Sequence, residues 1–192
     1  MEKILDLDLK TEFKRAIIVA KFDQKVMRAV AHDRALTRPA LFFIILSSLA
    51  GAAGSLIFPI RYGEVIYVPT FFDALFNAIS AIFFVGLVLY VLNFIADRFF
   101  QGKGTFLMFF RVVGYGYVVG ILNLFPVLNF AVGIWMLILL WKILIYVKEL
   151  TPRNAVFTLV ILMVLGVFFG MLWGNLNPGD LYGGLYVMPT SP

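Results

Sequence analysis

The stretch that decides the fold is FFDALFNAISAIFFVGLVLYVLNFIA, running from Phe71 to Ala96 with Asp73 as its one charge. An α-helix of that length reaches about 39 Å at 1.5 Å per residue. That exceeds the roughly 30 Å hydrocarbon layer of a bilayer, so the segment spans with tilt. Thr70 and Asp73 have capping-box spacing at its start, with Asp where the box usually carries Glu.

Similar runs lie on both sides. Ala40 to Phe58 contains no charge and sits between Pro39 and Pro59. Thr105 to Phe125 is interrupted only by Arg111 and closed by Pro126. Phe130 to Val147 carries Lys142 near its end, and Ala155 to Trp173 follows Thr151-Pro152, a good N-cap and first helical position. The expectation is an all-α polytopic membrane protein with five transmembrane helices, at about 40–58, 71–96, 105–125, 130–147 and 155–173. Residues 1–38 form a cytoplasmic segment, 39–174 the membrane domain, and the Gly- and Pro-rich 175–192 a flexible extracytoplasmic tail.

Composition agrees with lipid as the solvent. The chain is 62% hydrophobic and 14% charged, against about 45–50% and 25% in soluble domains. A chain this small cannot hide that excess in one core. With no cysteine, disulfides and thiolate chemistry are excluded. Residues 1–38 lack a short apolar h-region, so no cleavable signal peptide is expected.

The charge of +5 is informative through its placement. Nine Lys and Arg lie in residues 1–38, then Arg98 and Lys103, then Lys148 and Arg153: thirteen in alternate loops, which share one side of the membrane. The other side receives Arg61 alone. The positive-inside rule therefore places the N-terminus in the cytoplasm of a cell membrane and the C-terminus outside. No nucleic-acid partner is expected.

Within the N-terminal segment Lys10, Lys14, Lys21, Lys25 and Arg28 share a narrow sector of a continuous helix, with Val19, Phe22, Val26 and Val30 roughly opposite. Ile17 interrupts the basic sector. Such a helix lies on the bilayer with its cations at lipid headgroups; the plainer alternative is a solvated helix packed on the bundle.

Sites for chemistry are few. Gly102-Lys103-Gly104-Thr105 is not a Walker loop, because Gly follows the Lys and no strand precedes it; it reads as a tight turn. His32, the only histidine, has no ligand set at metal spacing. No catalytic residue, metal site or cofactor is expected, and no enzyme. Asp73, Asn77 and Ser80 share a face of the second span, where Asp73 suits the helix N-terminus and Asn77 suits a neighbouring helix. Arg111 lies about 9 Å inside the third span, within snorkelling distance of the interface and able to pair with Asp97. Intramembrane polar groups also support a small transporter or channel subunit as the alternative function. Gly116 and Gly120, and Gly166, Gly170 and Gly174, form GxxxG steps, while Gly51 and Gly54 thin the first span. Such steps allow close helix packing, within the chain or between copies.

The stretch Gln101 to Phe106, the run Arg111 to Tyr117 with its Gly-Tyr-Gly-Tyr, Leu124-Phe125-Pro126, Trp135, and the turn Thr151 to Ala155 together resemble the Yip-domain family of Ypt/Rab-interacting membrane proteins, short prokaryotic type. The resemblance covers roughly residues 25–174. It implies a cytoplasmic segment followed by five close spans, with Gly114, Tyr115 and Pro126 at family positions in a structural role. Eukaryotic members are similar proteins of Golgi and endoplasmic-reticulum membranes associated with Rab GTPases. Their DLYGP motif precedes the first span, where this chain reads Ala35 to Pro39; Asp180-Leu-Tyr-Gly183 falls in the tail instead. The functional expectation is a non-enzymatic membrane protein that acts through lipids, protein partners or self-association.

Overall fold

The computed structural model describes residues 8–58, 60–62, 65–67 and 69–176; the side-chain surroundings of residues 59–68 and 170–176 lie outside that description, as do the tail and Asp180 to Gly183. Among the described residues, seven α-helices run in chain order: α1 Leu9–Ala20, α2 Gln24–His32, α3 Thr37–Ile57, α4 Phe71–Phe100, α5 Phe106–Gly116, α6 Asn129–Tyr146 and α7 Pro152–Leu176. Five helical segments among the described residues are long and apolar enough to cross a membrane: Arg34–Ile57, Phe71–Phe100, Phe106–Leu124, Pro126–Tyr146 and Pro152–Phe169. The chain is a multi-pass membrane protein with five spans preceded by N-terminal helices.

A two-stranded antiparallel hairpin joins α3 to α4, an addition to the all-α expectation. Its strands are β1 Ile60–Tyr62 and β2 Val65–Tyr67, paired Ile60 with Tyr67 and Tyr62 with Val65. Both are rich in the β-branched and aromatic residues that favour extended chain.

The helix boundaries have local causes. The Thr70 hydroxyl accepts from Asp73 N at 3.2 Å and the Asp73 carboxylate accepts from Thr70 N at 2.8 Å, so the capping box starts α4. At its other end Gln101 takes a left-handed conformation, φ 55°, which terminates a helix. Thr105 caps α5, and the Thr151 hydroxyl accepts from Asn154 N at 3.3 Å at the start of α7.

Two expectations need correction. The N-terminal segment is two helices, because Asp23 accepts from Val26 N at 2.9 Å and starts α2 afresh, while Phe22 turns the chain through a left-handed residue, φ 67°. Lys10, Lys14 and Lys21 therefore do not share a sector with Lys25 and Arg28. The third span is α-helical only to Gly116 and continues as a 3₁₀ segment, Tyr117–Leu124. Gly114, Gly116 and Gly120 weaken α-helix propensity there, and the tighter winding gains about 0.5 Å of rise per residue.

Span one and span three run side by side. A Cβ on Gly114 would lie 2.7 Å from the Ala40 carbonyl oxygen, and one on Gly54 would lie 2.6 Å from that of Leu124. Only glycine admits backbones that close. Phe43, Phe109, Val112, Val113, Tyr115, Leu139 and Ile143 are buried along this contact, with α6 closing one side. By contrast α4 turns Phe72, Phe76, Phe83 and Phe84 outward, and α7 turns out Val164, Val167 and Phe168. In water such a surface would be untenable; in lipid it is the expected exterior.

Contacts place the start of α3, α5 and α7 and the finish of α4 and α6 at one end of the bundle, the basic end; the hairpin and residues 124–129 lie at the other.

Candidate functional site

The N-terminal helices are built into the bundle through their apolar faces. Ala16, Val19, Ala20, Met27, Val30 and Ala31 are buried in the core shared with α3 and α5. The stripe assigned to the headgroup boundary therefore packs on protein: Val19 and Val30 are buried, and Phe22 and Val26 partly so.

Four polar ties fix this unit in place. Arg15 Nη1 donates to both Glu12 carboxylate oxygens, at 2.7 and 2.8 Å, and the Tyr115 hydroxyl donates to Glu12 as well. Arg111 Nη1 donates to the Ala31 carbonyl at 2.6 Å, and its Nε to the Thr37 hydroxyl at 2.8 Å. Trp135 Nε1 donates to the Ala20 carbonyl at 3.0 Å while its ring stacks on Phe22, centroids 5.2 Å apart. Arg28 Nε donates to the Tyr146 carbonyl at 3.2 Å.

Arg111 is thus neither snorkelling nor paired with Asp97. It is 5% exposed and caps the end of α2, where unsatisfied helix carbonyls attract a cation. Asp97 pairs instead with Lys148, Oδ1 to Nζ 2.6 Å, and accepts from the Asn93 amide at 2.9 Å. Lys148, one of the loop cations that set the orientation, is fully buried. Glu149 turns left-handed, φ 54°, and the Lys148 ammonium reaches back to donate to the Gly104 carbonyl at 3.1 Å. The Gly102–Thr105 turn is bound into this corner, since Lys103 N donates to the Lys148 carbonyl at 2.9 Å. On its surface Lys103 pairs with Glu149 at 2.8 Å. That hydrogen bond holds the Glu149 carboxyl below the usual carboxylate range and raises the Lys103 ammonium.

The exposed surface of α1 and α2 is mixed in charge, with Asp8, Asp23 and Asp33 exposed beside a larger number of cations. Lys10, Lys14, Lys21 and Lys25 are exposed, and no ion pair involves them among the described residues. A cleft of about 340 Å³ opens between α1 and α2, lined by Lys14, Arg15, Asp33, Ile18 and Val26 among others. His32 is exposed, its Nδ1 donating to the Arg28 carbonyl at 2.8 Å. Asn77 and Ser80 face outward on α4 with Asp73 engaged in its cap.

The glycines divide. Gly116 faces Leu139, Gly120 faces Ser47, and Gly51 lies near Asn123, whereas Gly166 meets open space. Gly170 and Gly174 lie on α7, but their surroundings are outside the described residues. Glu12, Thr37, Trp135 and Lys148 are partners in these contacts that residue spacing did not reveal. Their partners are remote in sequence, 103 residues for Tyr115 with Glu12 and 74 for Arg111 with Thr37.

Comparison with known proteins adds one match. The family model of the Yip1 domain matches residues 19–174, beginning inside α1 and ending inside α7. No curated protein and no solved structure matches the chain.

Proposed function

The chain belongs to the Yip1 domain family, and from that premise we propose a non-enzymatic protein of the cell membrane that works by binding at its basic end. That end faces the cytoplasm, by the thirteen-to-one distribution of loop cations. Residues 39–174 are the membrane domain, and residues 1–38 are its cytoplasmic arm. The arm holds anionic lipid headgroups, with protein partners docking on the same face.

One observation carries this reading. The arm is locked to the spans through Glu12, Ala20, Arg28 and Ala31, and yet Lys10, Lys14, Lys21 and Lys25 are left outward and in no ion pair among the described residues. Each cation near an anionic surface is worth about 1 kcal/mol, so four together favour a charged leaflet strongly. The transporter alternative loses its principal support, because Arg111 and Asp73 are committed to hydrogen bonds that hold helix ends.

The test is lipid analysis after purification in mild detergent. The wild type should retain anionic phospholipid above its share of the membrane, and a variant with Lys10, Lys14, Lys21 and Lys25 changed to Gln should not. Retention at the bulk ratio by the wild type overturns the reading. A reporter fused after Pro192 that is active only in the cytosol overturns the orientation.

A further inference from the structure

The elbow between α1 and α2 lies too deep for an ordinary bilayer. Helix α6 has 18 residues, about 27 Å at 1.5 Å each, so its ends mark the two faces of the hydrocarbon. Arg28 is tied to Tyr146 at the basic end. Ala20 and Phe22, however, are tied to Trp135, six residues from Asn129 at the far end. Those six residues are only about 9 Å of helix. The first half of α1 is inside the bundle as well. Phe13 meets Phe43 edge-on at 5.1 Å, and from Phe43 to the end of α3 at Ile57 is about 21 Å.

The elbow is not dressed for lipid. Lys21, Asp23, Gln24 and Lys25 are all exposed, and Phe22 breaks the helix there. Each charge in hydrocarbon costs about 2.5–3.5 kcal/mol or more, and irregular backbone does not face lipid at all. Across the molecule the requirement is opposite. Exposed aromatic and aliphatic side chains run along α4 from Phe71 to Phe94, about 35 Å of helix, which needs the full hydrocarbon thickness.

The geometry points to a phospholipid-headgroup furrow that descends along α1 and α2 to the level of Trp135, thins the bilayer beside α6, and lets phospholipids cross between leaflets. Water and phosphate groups fill the furrow, with Lys21 and Lys25 as the cations that meet the phosphates near its floor. The remaining apolar step, about 9 Å on the α6 ruler, replaces a layer of about 30 Å. Because crossing is limited by burying a charged headgroup in hydrocarbon, a shorter step speeds it. This inference rests on the basic-end reading only for the leaflet from which the furrow opens.

The chain has no cysteine, so single replacements report water access cleanly. In proteoliposomes, Gln24→Cys should react with a membrane-impermeant maleimide, and Phe84→Cys on the lipid face of α4 should not. Vesicles of phosphatidylcholine carrying a trace of fluorescent phospholipid should then lose fluorescence from both leaflets when dithionite is added outside. Protein-free vesicles lose it from one. Lys21→Leu with Lys25→Leu, both surface changes, should slow the inner-leaflet loss several-fold. A protected Gln24→Cys, or bleaching confined to one leaflet, overturns the furrow. Retained anionic lipid on the purified protein in that case leaves the binding reading standing.

Discussion

Spans three and five are both apolar helical segments, but they live in different solvents. In the third, Phe106–Leu124, 44% of the most apolar window is buried inside the protein; in the fifth, Pro152–Phe169, the share is 11%. Span three is enclosed by α1, α2, α3 and α6 and carries Arg111 and Tyr115 inward. Span five is packed at its root by Ala155, Thr158 and Leu159 and then turns Val160, Val164 and Phe168 outward. Protein interior and lipid tails are nearly equal in polarity, so apolarity alone cannot tell an encased span from a bathed one. The residues that do tell are those lipid would not tolerate, or that only a neighbouring backbone would require.

Glycine gives the sharpest test of that difference. Gly114→Ala in span three would drive a Cβ to 2.7 Å from the Ala40 oxygen and 2.9 Å from its carbonyl carbon. Backbone atoms cannot rotate aside, and overpacking costs about 1–3 kcal/mol or more. The variant should lose monodisperse protein in detergent and melt well below the wild type. Gly166→Ala in span five meets nothing within 4 Å and should be neutral or gain up to about 1 kcal/mol from helix propensity. Equal losses at the two sites would erase the contrast.

The root of span five is the next place to press. Lys148→Met leaves the Asp97 carboxylate without its cation and the Gly104 carbonyl without a donor. Removing one partner of a buried pair costs about 3–5 kcal/mol; Asp97 keeps 37% of its side chain exposed, so the lower end applies. Lys148→Met with Asp97→Asn should recover part of the loss in a thermal melt. Failure of that rescue would show that Lys148 acts through its packed stem and not its charge.

Much of this was legible in the residues. The five spans follow from additive, local hydropathy, and the caps at Thr70 and Thr151 follow from side chains acting within one turn. The N-terminal break was not, because a continuous 100° frame hides a single left-handed residue such as Phe22. The site was less legible still. Arg111 and Asp97 were recognisable as costly, but their partners, Ala31, Thr37 and Lys148, come from other parts of the chain. The four exposed lysines were visible in composition, whereas the ties that aim them depend on tertiary packing.

Trp135→Phe makes a smaller and more local change. The stack on Phe22 can persist, but the hydrogen bond to the Ala20 carbonyl is lost, at about 1 kcal/mol. The spans should stay folded while protease cutting near Lys21 to Asp23 speeds up. Unchanged cutting would mean that burial of Val19 and Ala20 alone holds the elbow against α6.

The smallest effect belongs to Lys103 and Glu149, an exposed pair at 2.8 Å over the corner that joins spans two, three and five. The hydrogen bond from Lys103 lowers the Glu149 carboxyl in the folded protein. Its contribution is therefore present above the unfolded carboxylate value, about 4.3, and is lost as pH falls through the lower folded value. Glu149→Gln should reduce the melting temperature slightly at pH 7, and the difference from wild type should vanish in acid. High salt should shrink it at any pH, because exposed charges are screened. A salt-independent loss that survives in acid would assign the effect to the left-handed backbone at Glu149, φ 54°, where Gln and Glu differ in ways unrelated to charge.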